Sequence, residues 1–209
     1  MGDTSGTGVT VAHFWADPSC PYTWITSRWL REVTRVRPVR IVWHVMSLTL
    51  LNEGEEVDPE GDPEGYLRMP VRVCAAVRER HGSEALGAFL AAYGTRVHEG
   101  GDWDWDGVLP AALAEAGLPR ALADAAWTET YDAALRASHE AAVALVGTDV
   151  GTPVLGTERP GGTGMTGVFG PCVSPVPRGE AAGRLWDGTL LLAGVPEFHE
   201  LRRAPVPPE

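Results

Sequence analysis

Residues 17–24 read DPSCPYTW (Asp17-Pro18-Ser19-Cys20-Pro21-Tyr22-Thr23-Trp24), and the fold turns on how this octet is read. Before it, residues 9–15 (VTVAHFW) are β-branched, apolar and aromatic, the texture of a buried strand that Asp17-Pro18 brings to an end. After it, Ile25, Trp29, Val33 and Val36 recur at helical spacing, with Arg28, Glu32 and Arg35 between them. Ser19 or Cys20 can cap that helix, and Pro21 suits its first turn because it has no amide hydrogen to leave unpaired. The helix should end before Pro38. Residues 39–46 (VRIVWHVM) read as a second strand, parallel to the first because a helix joins them. The chain therefore opens β-α-β, with a cysteine where the first strand hands over to the helix.

From residue 51 to about 149 the texture changes. An acidic Gly/Pro loop over residues 52–65 leads into helical patterns at 70–81, 83–95, 105–116 and 119–146, with breaks at Gly82, Gly100-Gly101 and Gly117-Leu118-Pro119. Strand signals return at 153–156 and 167–170, and the Gly-rich loop between them predicts a hairpin. Residues 177–193 and 196–203 then read as amphipathic helices, with Leu185, Trp186, Leu190 and Leu191 available to the core. The expected organisation is one α/β unit in two parts, residues 1–50 and 150–203, interrupted by an all-helical domain over 51–149. Residues 1–8 should fray, and the Pro-rich residues 204–209 should form a flexible tail.

The 209 residues are 44% hydrophobic and 22% charged, an ordinary globular composition long enough to bury a core. A formal net charge of −11 repels phosphate backbones and anionic lipid, so neither nucleic acid nor membrane is the expected partner. No apolar run approaches the ~20 residues that span a bilayer, and no segment has the pattern of a secretory leader. The expectation is a cytoplasmic protein, monomeric or homodimeric, acting on a small molecule. Three cysteines, Cys20, Cys74 and Cys172, lack the spacing of a disulfide framework.

Cys20 carries the chemistry. A thiol at a helix N-terminus feels the positive end of the helix dipole and unpaired amides, which stabilise the thiolate, the form that attacks. The cysteine that would complete C-x-x-C is Thr23, so the mixed disulfide of a dithiol cycle has no resolving thiol one turn along. The Thr23 hydroxyl can instead donate a hydrogen bond to the Cys20 thiolate. Bonds formed by Cys20 must then break by reversal, by an outside thiol, or by a second thiol such as Cys172. Tyr22 follows closely enough to face a substrate cleft, whereas Trp15 and Trp24 suit either its wall or the core. His44 lies in the second strand, aimed toward Cys20 or buried as a hydrogen-bonded core histidine, the second reading being favoured. Arg28 suits an anion, although a salt-bridged helix arginine is the commoner case. Cys74 sits on an apolar helical stripe and reads as structural. His98 with Asp102, Asp104 and Asp106 lacks a second suitably spaced histidine, and no glycine pattern forms a phosphate loop, so no bound metal or nucleotide is expected.

The stretches DPSCPYTWITSRWLREV, HVMSLTLLNE, VRVCAAV, ALRASHE, DVGTPV, FGP and PRGEAAGRLWDG span nearly the whole chain. Together they resemble the DsbA-like thioredoxin-fold enzymes, and more narrowly the actinobacterial branch labelled mycothiol-dependent nitroreductase. The resemblance implies an α/β thioredoxin-like fold of DsbA type with an inserted all-helical domain. It also implies that Thr152-Pro153 is a cis-proline loop facing Cys20. Pro21, Tyr22, Trp24, His44, Thr152, Pro153 and Val154 are then the substrate-binding candidates, with Cys20 and Thr23 catalytic. Two departures stand out: Thr23 replaces the branch's usual second cysteine, and Cys172 occupies FGPC where an aliphatic residue is usual. Three functions follow. The first is a single-thiol isomerase that adds reversibly to a small unsaturated molecule, free or carrier-bound, in natural-product biosynthesis. The second is a mycothiol-dependent oxidoreductase acting by nitro reduction or disulfide exchange. The third is a non-catalytic binding or scaffold protein. No cofactor is expected to be bound, and a low-molecular-weight thiol such as mycothiol is the candidate cosubstrate.

Overall fold

The structure, a computed structural model, describes residues 8–55, 59–159, 164–202 and 204. The β-α-β start is formed by β1 (Thr10–Ala16), α1 (Pro21–Val33) and β2 (Val39–Val45), the two strands parallel with Trp15 opposite His44. A short helix α2 (Leu48–Leu51) follows, capped where Ser47 Oγ accepts from Leu50 N at 3.3 Å. Then come α3 (Arg68–Gly94), a π-helical turn Thr95–Glu99, α4 (Trp105–Glu115), a 3-10 segment Arg120–Trp127 and α5 (Asp132–Val146). The chain returns to the sheet as β3 (Val154–Glu158), antiparallel to β1, and the hairpin partner β4 (Met165–Phe169), and ends on α6 (Gly179–Ala193). Strand order is β2-β1-β3-β4.

The break expected at Gly82 is present: its φ of 86°, open to glycine and strained for other residues, is non-helical and divides α3 into two helices on either side of a kink. Two other sequence expectations change. The single helix expected over 119–146 is two pieces, with non-helical backbone at 128–131 between the 3-10 segment and α5. Residues 196–202 are turn and coil, not a helix. Leu201 there is 80% exposed, and so short a segment with so little to bury cannot offset the cost of helix nucleation. The fraying expected at 1–8 and the tail at 204–209 fall outside the described residues apart from Gly8 and Ala204.

Alternation along β1 and β2 divides the interior. Ala12, Phe14 and Ala16 of β1, with Trp43 and Val45 of β2, join Trp29, Leu30 and Val33 of α1 and Val73, Val77, Phe89 and Tyr93 of α3 in one core. The segment 51–149 thus shares its core with the sheet. On the other face, Trp15, Met46 and Val154 pack under Ala142, Val143 and Leu145 of α5. Gly167 permits that approach, because a Cβ there would meet Leu145 Cβ at 2.9 Å. Trp29 ties α1 to α6, donating from Nε1 to Ala182 O at 3.2 Å beside Trp186. Among the described residues no helix is long and apolar enough to cross a membrane.

Candidate active site

β1 ends at Ala16, and the next residues are held by Asp17, whose side chain is buried. One carboxylate oxygen accepts from Ser19 N at 2.8 Å and the other from Leu48 N at 2.8 Å, while Asp17 O accepts from Cys20 N at 3.2 Å. Burial pushes the Asp17 carboxyl up to about 6 even though these amide bonds favour its charged form. This turn sets Cys20 as the N-cap of α1 with Pro21 at the first helical position. Cys20 is 6% exposed, and its Sγ donates to the carbonyl of Thr152 at 3.5 Å across 132 residues of sequence. The Thr152-Pro153 peptide is cis, and Pro153 O accepts from Gly170 N at 2.8 Å. Thr152 therefore faces the sulfur as expected.

Thr23 is buried and its Oγ1 has no hydrogen-bond partner among the described residues, so the bond expected from Thr23 to Cys20 is not made here. Pro21 and Tyr22 are exposed at the helix tip, Tyr22 by 46%. Trp24 lies against the stacked ring of His98, with the Arg28 guanidinium over its face at 5.1 Å. Arg28 also pairs with Glu99 at 3.1 Å, the commoner role expected for it. Beside them an open cleft of ≈ 270 Å³ runs between Trp24, Ile25, Arg28 and Glu99 on one side and Ser174, Val176 and Arg178 on the other.

Two substrate-binding candidates are corrected, His44 taking the hydrogen-bonded core position favoured for it and Val154 joining the core as well. His44 points away from α1: it is bonded to His13 (Nδ1 to Nε2, 2.9 Å) and stacked on Trp15 at 4.5 Å, on the face covered by α5. Burial followed by the charge on His13 pushes His44 down to about 4, as suits a neutral, hydrogen-bonded ring. Val154 is fully buried in the same cluster, its backbone paired with both Trp15 and Phe169, so it lends nothing to a cleft. Trp15 likewise belongs to that core. Cys74 lies at 0% exposure in α3, where burial raises its thiol well above the ordinary range, in keeping with a structural role. Cys172 is exposed, on the segment that leaves β4.

The sequence reading missed two residues. Asp17 is placed by the fold at the base of the nucleophile turn, and its only signal was its position three residues before Cys20. His98, set aside with the acidic loop, donates from Nε2 to Pro18 O at 2.9 Å, because a carbonyl can only accept. It sits on the π-helical turn, a geometry that often marks functional sites.

A capping cysteine that meets a Thr-cis-Pro loop, on a β2-β1-β3-β4 sheet with helices inserted between β2 and β3, defines a DsbA-type thioredoxin-fold protein. Solved structures agree on that fold. A putative protein disulfide isomerase from Nitrosomonas europaea superposes with a TM-score of 0.55 at 15% identity, covering 88% of this chain and 98% of that one. The cytosolic disulfide reductase DsbM from Pseudomonas aeruginosa gives 0.50 at 21% identity, covering 87% and 99%. Residues 19–203 match the Rv2466c-like family, described as mycothiol-dependent nitroreductase Rv2466c, and the chain belongs to that family. The protein Rv2286c of Mycobacterium tuberculosis is 32% identical over 204 residues, 95% of this chain and 84% of the relative. The chain thus combines a DsbA-type fold with membership of a family described as mycothiol-dependent nitroreductase.

Proposed function

We propose that this protein is a thiol-dependent oxidoreductase in which Cys20 attacks a small electrophilic or disulfide substrate and a low-molecular-weight thiol completes turnover. The observation that carries this reading is Cys20 itself, capping α1 with its Sγ 3.5 Å from the Thr152 carbonyl while Thr23 stands one turn on. Cys20 thus stands at the N-terminus of α1, directly against the Thr152-Pro153 loop. Mycothiol, the thiol named in the family's description, is polyhydroxylated and amide-bearing. Arg28, Glu99, Ser174 and Arg178 along the cleft supply the donors and acceptors such a molecule needs. When present, that thiol supplies reducing equivalents; the chain's own part is to hold the reacting sulfur and keep the partner against it. A thiol of this class belongs to a reducing compartment, which favours the cytoplasm.

A second reading is favoured by the buried, unpartnered Thr23 hydroxyl, which leaves Cys20 with a polar neighbour where a dithiol enzyme has its second sulfur. Cys20 would add to an activated double bond, allow rotation and depart, isomerising a small unsaturated molecule of natural-product biosynthesis without net electron transfer. The two readings part on stoichiometry. Incubating the protein with mycothiol and a nitroaromatic or a small disulfide should consume thiol in proportion to product, and Cys20→Ser should abolish it. Turnover of a conjugated polyene with no thiol consumed, also lost in Cys20→Ser, would overturn the redox reading in favour of the isomerase.

A further inference from the structure

Gly170 N donates to Pro153 O at 2.8 Å, one residue from the carbonyl that receives the Cys20 thiol. Thr26 Oγ1 donates to Pro171 O at 3.0 Å from the buried side of α1, six residues and so about 9 Å along the helix axis from Cys20. These two bonds lay the segment after β4 across the mouth of the site, and the next residue is Cys172. The turn that presents it needs glycine. Gly170 has a φ of 89°, and a Cβ there would come within 2.8 Å of Cys172 N.

The other thiols and hydroxyls of the molecule are poorer partners for Cys20. Cys74 is sealed in the core between α3 and the sheet, and the Thr23 hydroxyl cannot exchange with a disulfide. Cys172 is exposed, yet burial by its neighbours and then the charge on Cys20 push its thiol upward, so the two sulfurs feel each other electrostatically.

We propose that Cys172 is the resolving thiol of the Cys20 site, taking the part that Thr23 leaves vacant. The proposal rests on the redox reading above and deepens it. Cys20 thiolate attacks a small disulfide RS–SR, forming a Cys20–SR mixed disulfide and releasing RS⁻, which takes up a proton. Cys172 then loses its proton to solvent and attacks the Cys20 sulfur. The Cys20–SR bond breaks, the second RS⁻ leaves, and a Cys20–Cys172 disulfide remains. The substrate has gained two electrons and the protein has lost two. Two equivalents of an external low-molecular-weight thiol return the protein to its dithiol form, themselves oxidised to a disulfide. A relaxed bond needs Cα atoms about 4.4–6.8 Å apart, and Cys172 follows directly on the Gly170 and Pro171 anchors that tie its segment to the Thr152-Pro153 loop and to α1.

The test uses the full-length protein, reduced, desalted and mixed with bis(2-hydroxyethyl) disulfide, with intact mass and non-reducing peptide maps followed over time. The wild type should end lighter by two hydrogens, with a Cys20–Cys172 peptide pair and two thiols released. Cys172→Ser and Cys172→Ala should stop at the hydroxyethyl adduct on Cys20. An intramolecular thiol at an effective concentration on the order of 1 mM predicts that, with external thiol held at about 10 µM, the wild type clears the adduct about 100-fold faster than either variant. Equal clearance, or a wild-type adduct that persists as long as the variants', overturns the proposal while leaving Cys20 as nucleophile. No adduct on Cys20 in any of the three proteins overturns both the proposal and the reading beneath it.

Discussion

Asp17 shows how a single buried carboxyl leaves its mark on the stability of the whole chain. Its folded value of about 6 lies above the ordinary 3.8, so the native state binds the proton more tightly than the unfolded chain. Stability from this group is therefore greatest below about pH 4 and declines as pH rises to about 6, by on the order of 3 kcal/mol for a shift of this size. Asp17→Asn should remove that decline, which urea titrations at a series of pH values would measure; an unchanged slope would mean that other groups set it. At Thr23 the prediction concerns chemistry. Thr23→Cys should move the oxidised product from the Cys20–Cys172 pair to a disulfide between Cys20 and the introduced thiol, read by peptide mapping. At this scale the sequence disclosed the residues whose placement is local. Cys20 and Pro21 follow from the strand-to-helix handover, and Thr152-Pro153 follows from the family's motif. Asp17 and His98 act through contacts with Leu48 and Pro18, one of them 80 residues away, and no periodicity encodes such contacts.

Among the elements, α1 and α3 meet through an exchange of bulk. Trp24 occupies the space where Gly94 has no side chain; a Cβ at Gly94 would fall 2.1 Å from Trp24 Cε3. Gly94→Ala should displace the tryptophan and cost about 1–3 kcal/mol, as overpacking of a filled interior does. The loss would register as a lower urea midpoint, together with changed reactivity of Cys20 toward iodoacetamide, since Trp24 is only one helical turn from that thiol. The helical patterns at 70–81, 83–95 and 105–116 were legible because apolar spacing and glycine punctuation coincide there. The break at 128–131 was not, because Thr128-Glu129-Thr130-Tyr131 contains no glycine or proline to announce it. His44 illustrates a different shortfall. Alternation assigns a strand residue to one of two faces, but which face α1 covers is settled by the packing of the whole sheet.

Over the whole molecule, α1 is clamped between sheet and α6, and Trp29 is the side chain that reaches across, at 0% exposure. Trp29→Ala removes its burial, its bond to Ala182 O and its contact with Trp186 together. A loss of about 3–5 kcal/mol is expected, measured by chemical denaturation. A drop under about 1 kcal/mol would show that α6 is not integral to the core. The thioredoxin-like arrangement could be anticipated because strand, helix and hairpin signals occur in its order. That the helical segment would line both sheet faces could not, since it depends on α5 folding back beneath Trp15 and Val154. Asp17 joins these regions physically, because one oxygen grips the nucleophile's own turn while the other grips Leu48, where the chain departs for the helices. Any ligand that wedges the helical layer away from the sheet must tug on that carboxylate. The alkylation rate of Cys20 should thus serve as a strain gauge for occupancy at a distance from the sulfur.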